Sequence, residues 1–589
     1  MKKLISIFNF RKNLFTLRFK QPIFITMIRL FILLFLIVSV NSFSQTSVPQ
    51  DYFKSPVEIP LILSGTFGEL RSNHFHAGID IKTNQEIGLS VLASAGGYIS
   101  RIKIQRFGYG RALYIQHPNG YQTVYAHLSK FNDEIEAYVK QQQYKKETYE
   151  LELFPEANQF QVTQGEVIGL SGNTGSSGGP HVHFEIRDSS SRPMNPLLFG
   201  FNEIEDTRPP RIGSLWAYTF GEDSQIEGKQ GRQRIQMKQI QGGNYKTNPI
   251  QASGVIGFGL STDDQLNLAV NRNGVYKIQT FLNGAKHFEV LYDRFSFAET
   301  RYLNSAIDFG YFKEHKKKIQ KLFVPENNPL SVYTFENKKG LLEILNDDFS
   351  FNYEVKVYDF AGNSTKIIIP INFSQSSITQ LEKKEETNYF AYAQQASVFE
   401  DENIDVYIPK GALYEDTYLT INFSKNAIDL HDYRTPLHKD VQIGFDLPNY
   451  EDLSQAYIAN VMPWGTKFYV NTKQKSQRLI ASTKSFGRFE LAFDREPPTI
   501  KPLNFRNKKW MSNYDTLEIE IDDEETGIQD FKATVNGDFL LMEYDYKTKQ
   551  LTHYFEDGIF KDGKNDFKLI VTDKVGNTSI FEAEIYRKN

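Results

Sequence analysis

The sequence predicts an all-β protein: an N-terminal antiparallel β domain interrupted by one helical insertion, followed by a series of β-sandwich domains. Three observations predict it. Past Pro60, short runs rich in β-branched and aromatic residues alternate with glycine turns. Residues 131–156 break that rhythm, being charged, Gln-rich and free of glycine, as suits a helix. Two distant segments open and close on the same short motifs, the mark of an internal repeat. The 589 residues call for roughly three to five domains.

The N-terminus reads as an address. Lys2, Lys3, Arg11, Lys12, Arg18, Lys20 and Arg29 precede an apolar stretch at 30–40, and Ser42-Phe43-Ser44 offers small residues for cleavage before Gln45. Residues 1–44 are therefore expected to be a secretory signal, with Met27 as a candidate true start and an uncleaved membrane anchor as the alternative. Export places the chain in the periplasm or cell envelope, or outside the cell. There is no cysteine. That excludes a lipid-modified cysteine and disulfides, and leaves histidine and carboxylate as the donors for any metal.

In the first domain, residues 52–200, strands are expected at 89–94, 97–104, 112–117, 122–128, 166–170 and 182–187. Asn119-Gly120 forms a hairpin turn between two of them. The repeat follows. Its first copy opens on Asp206-Thr207-Arg208-Pro209-Pro210 and closes near Asp359-Phe360-Ala361-Gly362-Asn363. Its second opens on Asp494-Arg495-Glu496-Pro497-Pro498 and closes near Asp573-Lys574-Val575-Gly576-Asn577. A Pro-Pro entry, several strands and a D-x-x-G-N turn before the last strand resemble an immunoglobulin-like β-sandwich. The expected domains are thus 206–373, a sandwich with insertions; 385–493, a β domain of unassigned type; and 494–589, an immunoglobulin-like sandwich. Each is expected to carry its own core, so that residues up to Gly200 would fold alone.

Composition narrows the function. A net charge of −4 and no long basic block argue against nucleic acid as a partner. Lys313-Glu314-His315-Lys316-Lys317-Lys318 reads as a solvated helix or loop. Ser64, Ser129 and Ser171 sit in no G-x-S-x-G elbow. No G-K-[ST] follows the glycine-rich segment 172–179, so that segment shapes a cleft wall and is not a phosphate loop.

Histidines crowd the first domain: His74, His76, His117, His127, His181 and His183. In HVHFEIR, Val182, Phe184 and Ile186 share one strand face while His181, His183 and Glu185 share the other. The two imidazoles stand about 7 Å apart, which suits one metal ligand and one neighbouring partner. In HFHAGIDI, Ile79 and Ile81 are expected to be buried, turning Asp80 to the opposite face. His76 and Asp80 would lie about 13 Å apart in a straight strand, so a shared metal requires a bend, for which Gly78 is the permissive residue. His74 is a rival for His76. His117, before Pro118-Asn119-Gly120, reads as a turn residue, and Glu185 as a supporting one.

Taken together, HFHAGIDI, VYAHLS and VTQGEVIGLSGNTGSSGGPHVHFEIR resemble the lysostaphin-like, LytM-type zinc peptidases that cut peptidoglycan. The resemblance covers residues 60–200. It implies zinc held by His76, Asp80 and His183, with His127 and His181 as the catalytic pair. It also implies peptidoglycan peptide stems as substrate. There is no H-E-x-x-H, so proton transfer falls to histidine. With no SH3-like wall-targeting module, the expected targets are direct D-Ala–diamino-acid cross-links and not polyglycine bridges. Two other readings stand beside it: a non-catalytic regulator of a cell-wall hydrolase, and an envelope protein that binds glycan or protein through its C-terminal β domains.

Overall fold

The computed structural model describes residues 48–346, 350–381 and 386–588, so the expected export signal at 1–44 lies outside them. No described helix is long and apolar enough to cross a membrane. The protein is mostly β, as its alternating patterns require.

In the first domain the strands are β1 (Leu63–Gly65), β2 (Ile79–Lys82), β3 (Ser90–Leu92), β4 (Gly97–Ile104), β5 (Arg111–Gln116), β6 (Gln122–Leu128) and β7 (Lys130–Phe131). Helix α1 (Asp133–Lys146) precedes β8 (Leu151–Leu153), β9 (Gln161–Val162), β10 (Val167–Leu170), β11 (His181–Arg187) and β12 (Pro193–Met194). The main sheet runs β1-β2-β11-β6-β5-β4-β8, and β3-β10-β7 forms a second, smaller sheet. Ile79, Ile81, Val182, Phe184 and Ile186 are fully buried, so the apolar face of each strand is the one its alternation marked. Helix α1 occupies the glycine-free stretch. The Asn132 side chain caps it by accepting from the Ile135 N–H, its first turn is acidic, and it ends at Glu147 in the left-handed region.

Beyond residue 206, the strands of 211–373 make one twelve-stranded hydrogen-bonded network. Two five-stranded sheets follow within 397–493, then a four- and a five-stranded sheet within 499–587. The internal repeat is structural as well as textual. Asn363 Nδ2 donates to the Asp206 carbonyl at 3.0 Å and to Asp359 Oδ2 at 2.9 Å. Asn577 Nδ2 donates to the Asp494 carbonyl at 2.8 Å and to Asp573 Oδ2 at 2.7 Å. In each copy the turn asparagine ties the final hairpin to the entry segment, and Gly362 (φ 93°) and Gly576 (φ 95°) supply the left-handed residue of the turn.

The packing departs from the expectation of independent modules. Phe67, Phe75 and Ala77 of the first domain belong to the same apolar cluster as Tyr292, Phe295 and the core of 211–373. Phe75 lies 5.3 Å from Phe295 and 5.7 Å from Tyr292, ring to ring, and its N–H donates to Thr300 Oγ1 at 2.7 Å. The last β segment also returns to the first domain. Buried Arg111 pairs with Glu543 (3.3 Å) and with Glu136 of α1, Tyr144 donates to Asp557 Oδ2 (2.6 Å), and Phe107 packs on Tyr546 at 4.6 Å.

Candidate metal centre

Three strands and one hairpin bring the histidines together. Asp80 on β2 and His183 on β11 are direct cross-strand partners, so their side chains rise from the same face. His76 sits on the hairpin before β2, where its N–H donates to the Glu69 carbonyl and its carbonyl accepts from Gly68. His76 Nε2 lies 2.9 Å from Asp80 Oδ1 and 3.0 Å from His183 Nδ1, and His183 Nδ1 lies 2.8 Å from Asp80 Oδ1. The three residues are buried. The chain bends between His76 and Asp80 as a shared metal requires, and Gly78 is constrained in a second way. A Cβ there would sit 2.2 Å from the Phe184 carbonyl, so glycine is required for close approach of β2 to β11.

The far side of each ring fixes which nitrogen faces the centre. His76 Nδ1 lies 2.8 Å from the Thr66 carbonyl, and His183 Nε2 lies 2.8 Å from Glu185 Oε1. Both partners accept only, so those nitrogens carry the protons. His76 Nε2 and His183 Nδ1 are left as lone-pair donors converging with Asp80 Oδ1. Three electron-rich atoms around one point call for a cation. The two carboxylates, Asp80 and Glu185, favour positive charge at the same place. Although burial works against its charge, hydrogen bonds to Asp80 and Glu185 push His183 up to about 9. Against its own burial, Asp80 is held well below the usual carboxylate range by His76, His181 and His183. Two imidazoles and one carboxylate are a zinc donor set, and with no cysteine in the chain no thiolate competes.

His127 and His181 flank this cluster. Their rings are 4.8 Å apart, and His127 is 5.9 Å from His183. His127 Nδ1 is tied to the Thr174 carbonyl (2.8 Å) and His181 Nδ1 to the Gly179 carbonyl (2.8 Å), which turns each Nε2 toward the cluster, that of His181 lying 3.4 Å from Asp80 Oδ1. Burial, then His183 and His181, pushes His127 down to about 3, so the ring is neutral at neutral pH. His127 owes its place to a bulge. Ala126, not His127, is the β6 residue opposite His183, so regular alternation would turn His127 away. Instead, the β5–β6 register shifts between Arg111 and Leu113, and His127 takes φ 61°. A left-handed histidine costs roughly 1–2 kcal/mol.

A polar chain supports the centre from behind. Glu185 is fully buried and accepts from His183, from Arg187 Nε at 2.6 Å and from the Tyr109 hydroxyl. Burial resists its charge, but Arg187 and His183 hold it down at about 2. Tyr109 stacks on His183 at 5.2 Å, Phe297 of the next module covers the Arg187 guanidinium at 4.7 Å, and Arg71 pairs with Asp80 Oδ2 at 3.0 Å. Tyr109, Arg187 and Arg71 were not singled out in the sequence. Arg187 was within reach, since period two carries His181, His183 and Glu185 on to it. His74 is exposed and bonds the Ser72 carbonyl, which leaves His76 in the cluster. His117 sits in the hairpin, bonded to the Gly96 carbonyl and Thr123 Oγ1.

Residues 74–144 and 156–196 match the family model of peptidase family M23. Residues 387–494 match the Zu5-like domain. The DD-carboxypeptidase/endopeptidase Mpg of Neisseria meningitidis is 38% identical over 128 residues, 22% of this chain and 23% of that protein. The peptidoglycan DD-endopeptidase ShyA of Vibrio cholerae is 34% identical over 122 residues, 21% of this chain and 22% of that protein. The catalytic domain of lysostaphin from Staphylococcus simulans aligns over 24% of this chain and 91% of its own length, at 24% identity and a TM-score of 0.18. The chain thus spans under a quarter of the length of these two curated relatives.

Proposed function

We propose that this protein is an exported zinc-dependent endopeptidase that hydrolyses the peptide cross-links of peptidoglycan. The observation that carries the reading is the convergence of two imidazole lone pairs and a carboxylate oxygen within 3.0 Å of one another, with two further imidazoles alongside. His76, Asp80 and His183 would hold the metal. Zinc bound there would acidify a water and polarise an amide carbonyl. His127 and His181 present Nε2 lone pairs to the same space, suited to taking the proton from the attacking water and returning it to the leaving amine. The buried Glu185–Arg187 pair keeps His183 in the tautomer that leaves Nδ1 free. The name of the Vibrio cholerae relative supports a peptidoglycan substrate, that of the Neisseria relative supports endopeptidase activity, and the sequence pattern of residues 1–44 supports export.

The test is mass spectrometry of purified cross-linked muropeptides after incubation with the zinc-loaded chain. Cross-linked dimers should fall to monomers, and His183→Ala should abolish the change. Intact dimers after incubation with fully zinc-loaded protein would overturn catalysis and leave the regulatory reading.

A further inference from the structure

We propose that the entrance to the first repeat module holds a divalent cation of the calcium class, bound by Asp206, Asp264 and Asp359. Carboxylate oxygens of the three lie within 4.8 Å of one another. Asp264 and Asp359 are buried, at 3% and 2% exposure. Among the described residues, no lysine or arginine forms an ion pair with any of them. The decisive atom is Asp264 Oδ1, which is buried without a hydrogen-bond partner. A buried carboxylate oxygen that has no hydrogen-bond donor and faces two further carboxylates is disfavoured when ionised, and a cation supplies what is missing. The donors are all hard oxygens, with no imidazole or thiolate, which selects calcium over zinc. A cavity of about 200 Å³ lined by Asp206 and Asp264 leaves room for water to complete the coordination.

The internal repeat carries the same triad. Asp494 matches Asp206 before Pro-Pro, and Asp573 matches Asp359 in the D-x-x-G-N turn. Asp523, like Asp264, is the second residue of an Asp-Asp pair. The two triads differ at the middle aspartate, which in the second copy is already supplied with donors. Asp523 Oδ1 accepts from the Thr526 N–H (2.9 Å) and the Gly527 N–H (2.6 Å), and Asp494 Oδ2 accepts from Thr526 Oγ1 (2.8 Å). The proposal is therefore made for the first triad. A cation there would clamp the linker that carries Asp206 onto the end of the long strand and the D-x-x-G-N turn. That linker leads from the M23 domain into the module that packs behind His76.

The test is calorimetric titration of the full chain, stripped of metals and resupplied with stoichiometric zinc, against CaCl2, with thermal melts in parallel. Saturable calcium binding and a raised Tm are expected. Asp264→Asn should weaken binding at least tenfold while melting no lower than wild type without calcium, because it removes a repelled charge. Asp523→Asn should leave that binding intact. If Asp264→Asn fails to fold, Asp206→Asn, on the less buried linker, should show the same loss. Neither heat nor Tm shift up to about 10 mM calcium, the weak end for such modules, would overturn the site, as would wild-type binding in Asp264→Asn or Asp206→Asn.

Discussion

Substituting Glu185 by glutamine should weaken zinc binding without touching a proposed ligand. Three donors converge on this side chain: His183 Nε2 at 2.8 Å and the Tyr109 hydroxyl on Oε1, and Arg187 Nε at 2.6 Å on Oε2. A carboxylate accepts from all three, whereas an amide cannot. With its oxygen toward His183, the Gln amide aims its NH2 at the Arg187 N–H. With the amide reversed, its NH2 faces His183 Nε2 and drives the ring proton to Nδ1, the atom that faces Asp80 and His76. Either orientation also strips the counter-charge from a buried guanidinium, a loss of about 3–5 kcal/mol when one partner of a buried pair is removed. Loss of the orienting partner of a metal-binding histidine typically costs 10–100-fold in affinity, or about 1.4–2.7 kcal/mol. Competition with a chromophoric chelator gives the zinc affinity, and urea unfolding of the metal-free protein gives the stability. Zinc affinity within threefold of wild type, together with unfolding within about 1 kcal/mol, would show that the chain behind His183 does not support the centre.

Other outcomes follow from the same geometry. His183→Ala should lose both zinc and activity, while His127→Ala or His181→Ala should keep zinc and lose roughly two orders of magnitude or more in hydrolysis; elemental analysis beside a muropeptide assay separates the two classes, and full activity in both of the latter would remove the proposed pair. A chain ending at Gly200 should unfold or lose zinc affinity, since Phe67, Phe75 and Ala77 would be stripped of their apolar partners. The milder Phe75→Ala should cost about 3–5 kcal/mol in denaturant unfolding, and a loss under about 1 kcal/mol would restore the picture of an independent domain. Burial holds His553, hydrogen-bonded to the Leu541 carbonyl, down at about 4. Its contribution should be complete above pH 6.5 and shrink by about 3 kcal/mol as pH falls through 4; parallel stability profiles for wild type and His553→Gln between pH 7 and 4 would contradict this.

Local pattern carried much of this protein. Period-two alternation placed His181, His183 and Glu185 on the face opposite Val182, Phe184 and Ile186, and strands 97–104 and 122–128 occupy the residues their patterns marked. The lack of glycine marked helix α1, and the Pro-Pro and D-x-x-G-N motifs marked two copies joined by the same asparagine bonds. Such features depend on side-chain direction and turn chemistry, which neighbours in sequence decide. Other features depend on which strands meet and in what register. The bulge that swings His127 toward His183 exists only because β5 and β6 pair with a shift. Gly78 is demanded by the approach of β11, a hundred residues away, as well as standing in the bend that brings His76 to Asp80. Tyr109 reaches Glu185, and Phe75 reaches Tyr292 and Phe295, across gaps that no periodicity encodes. Alternation in the sequence says which way a side chain faces; the donor set of the centre and its backing by a neighbouring module arise from long-range pairing and packing, which only the folded chain decides.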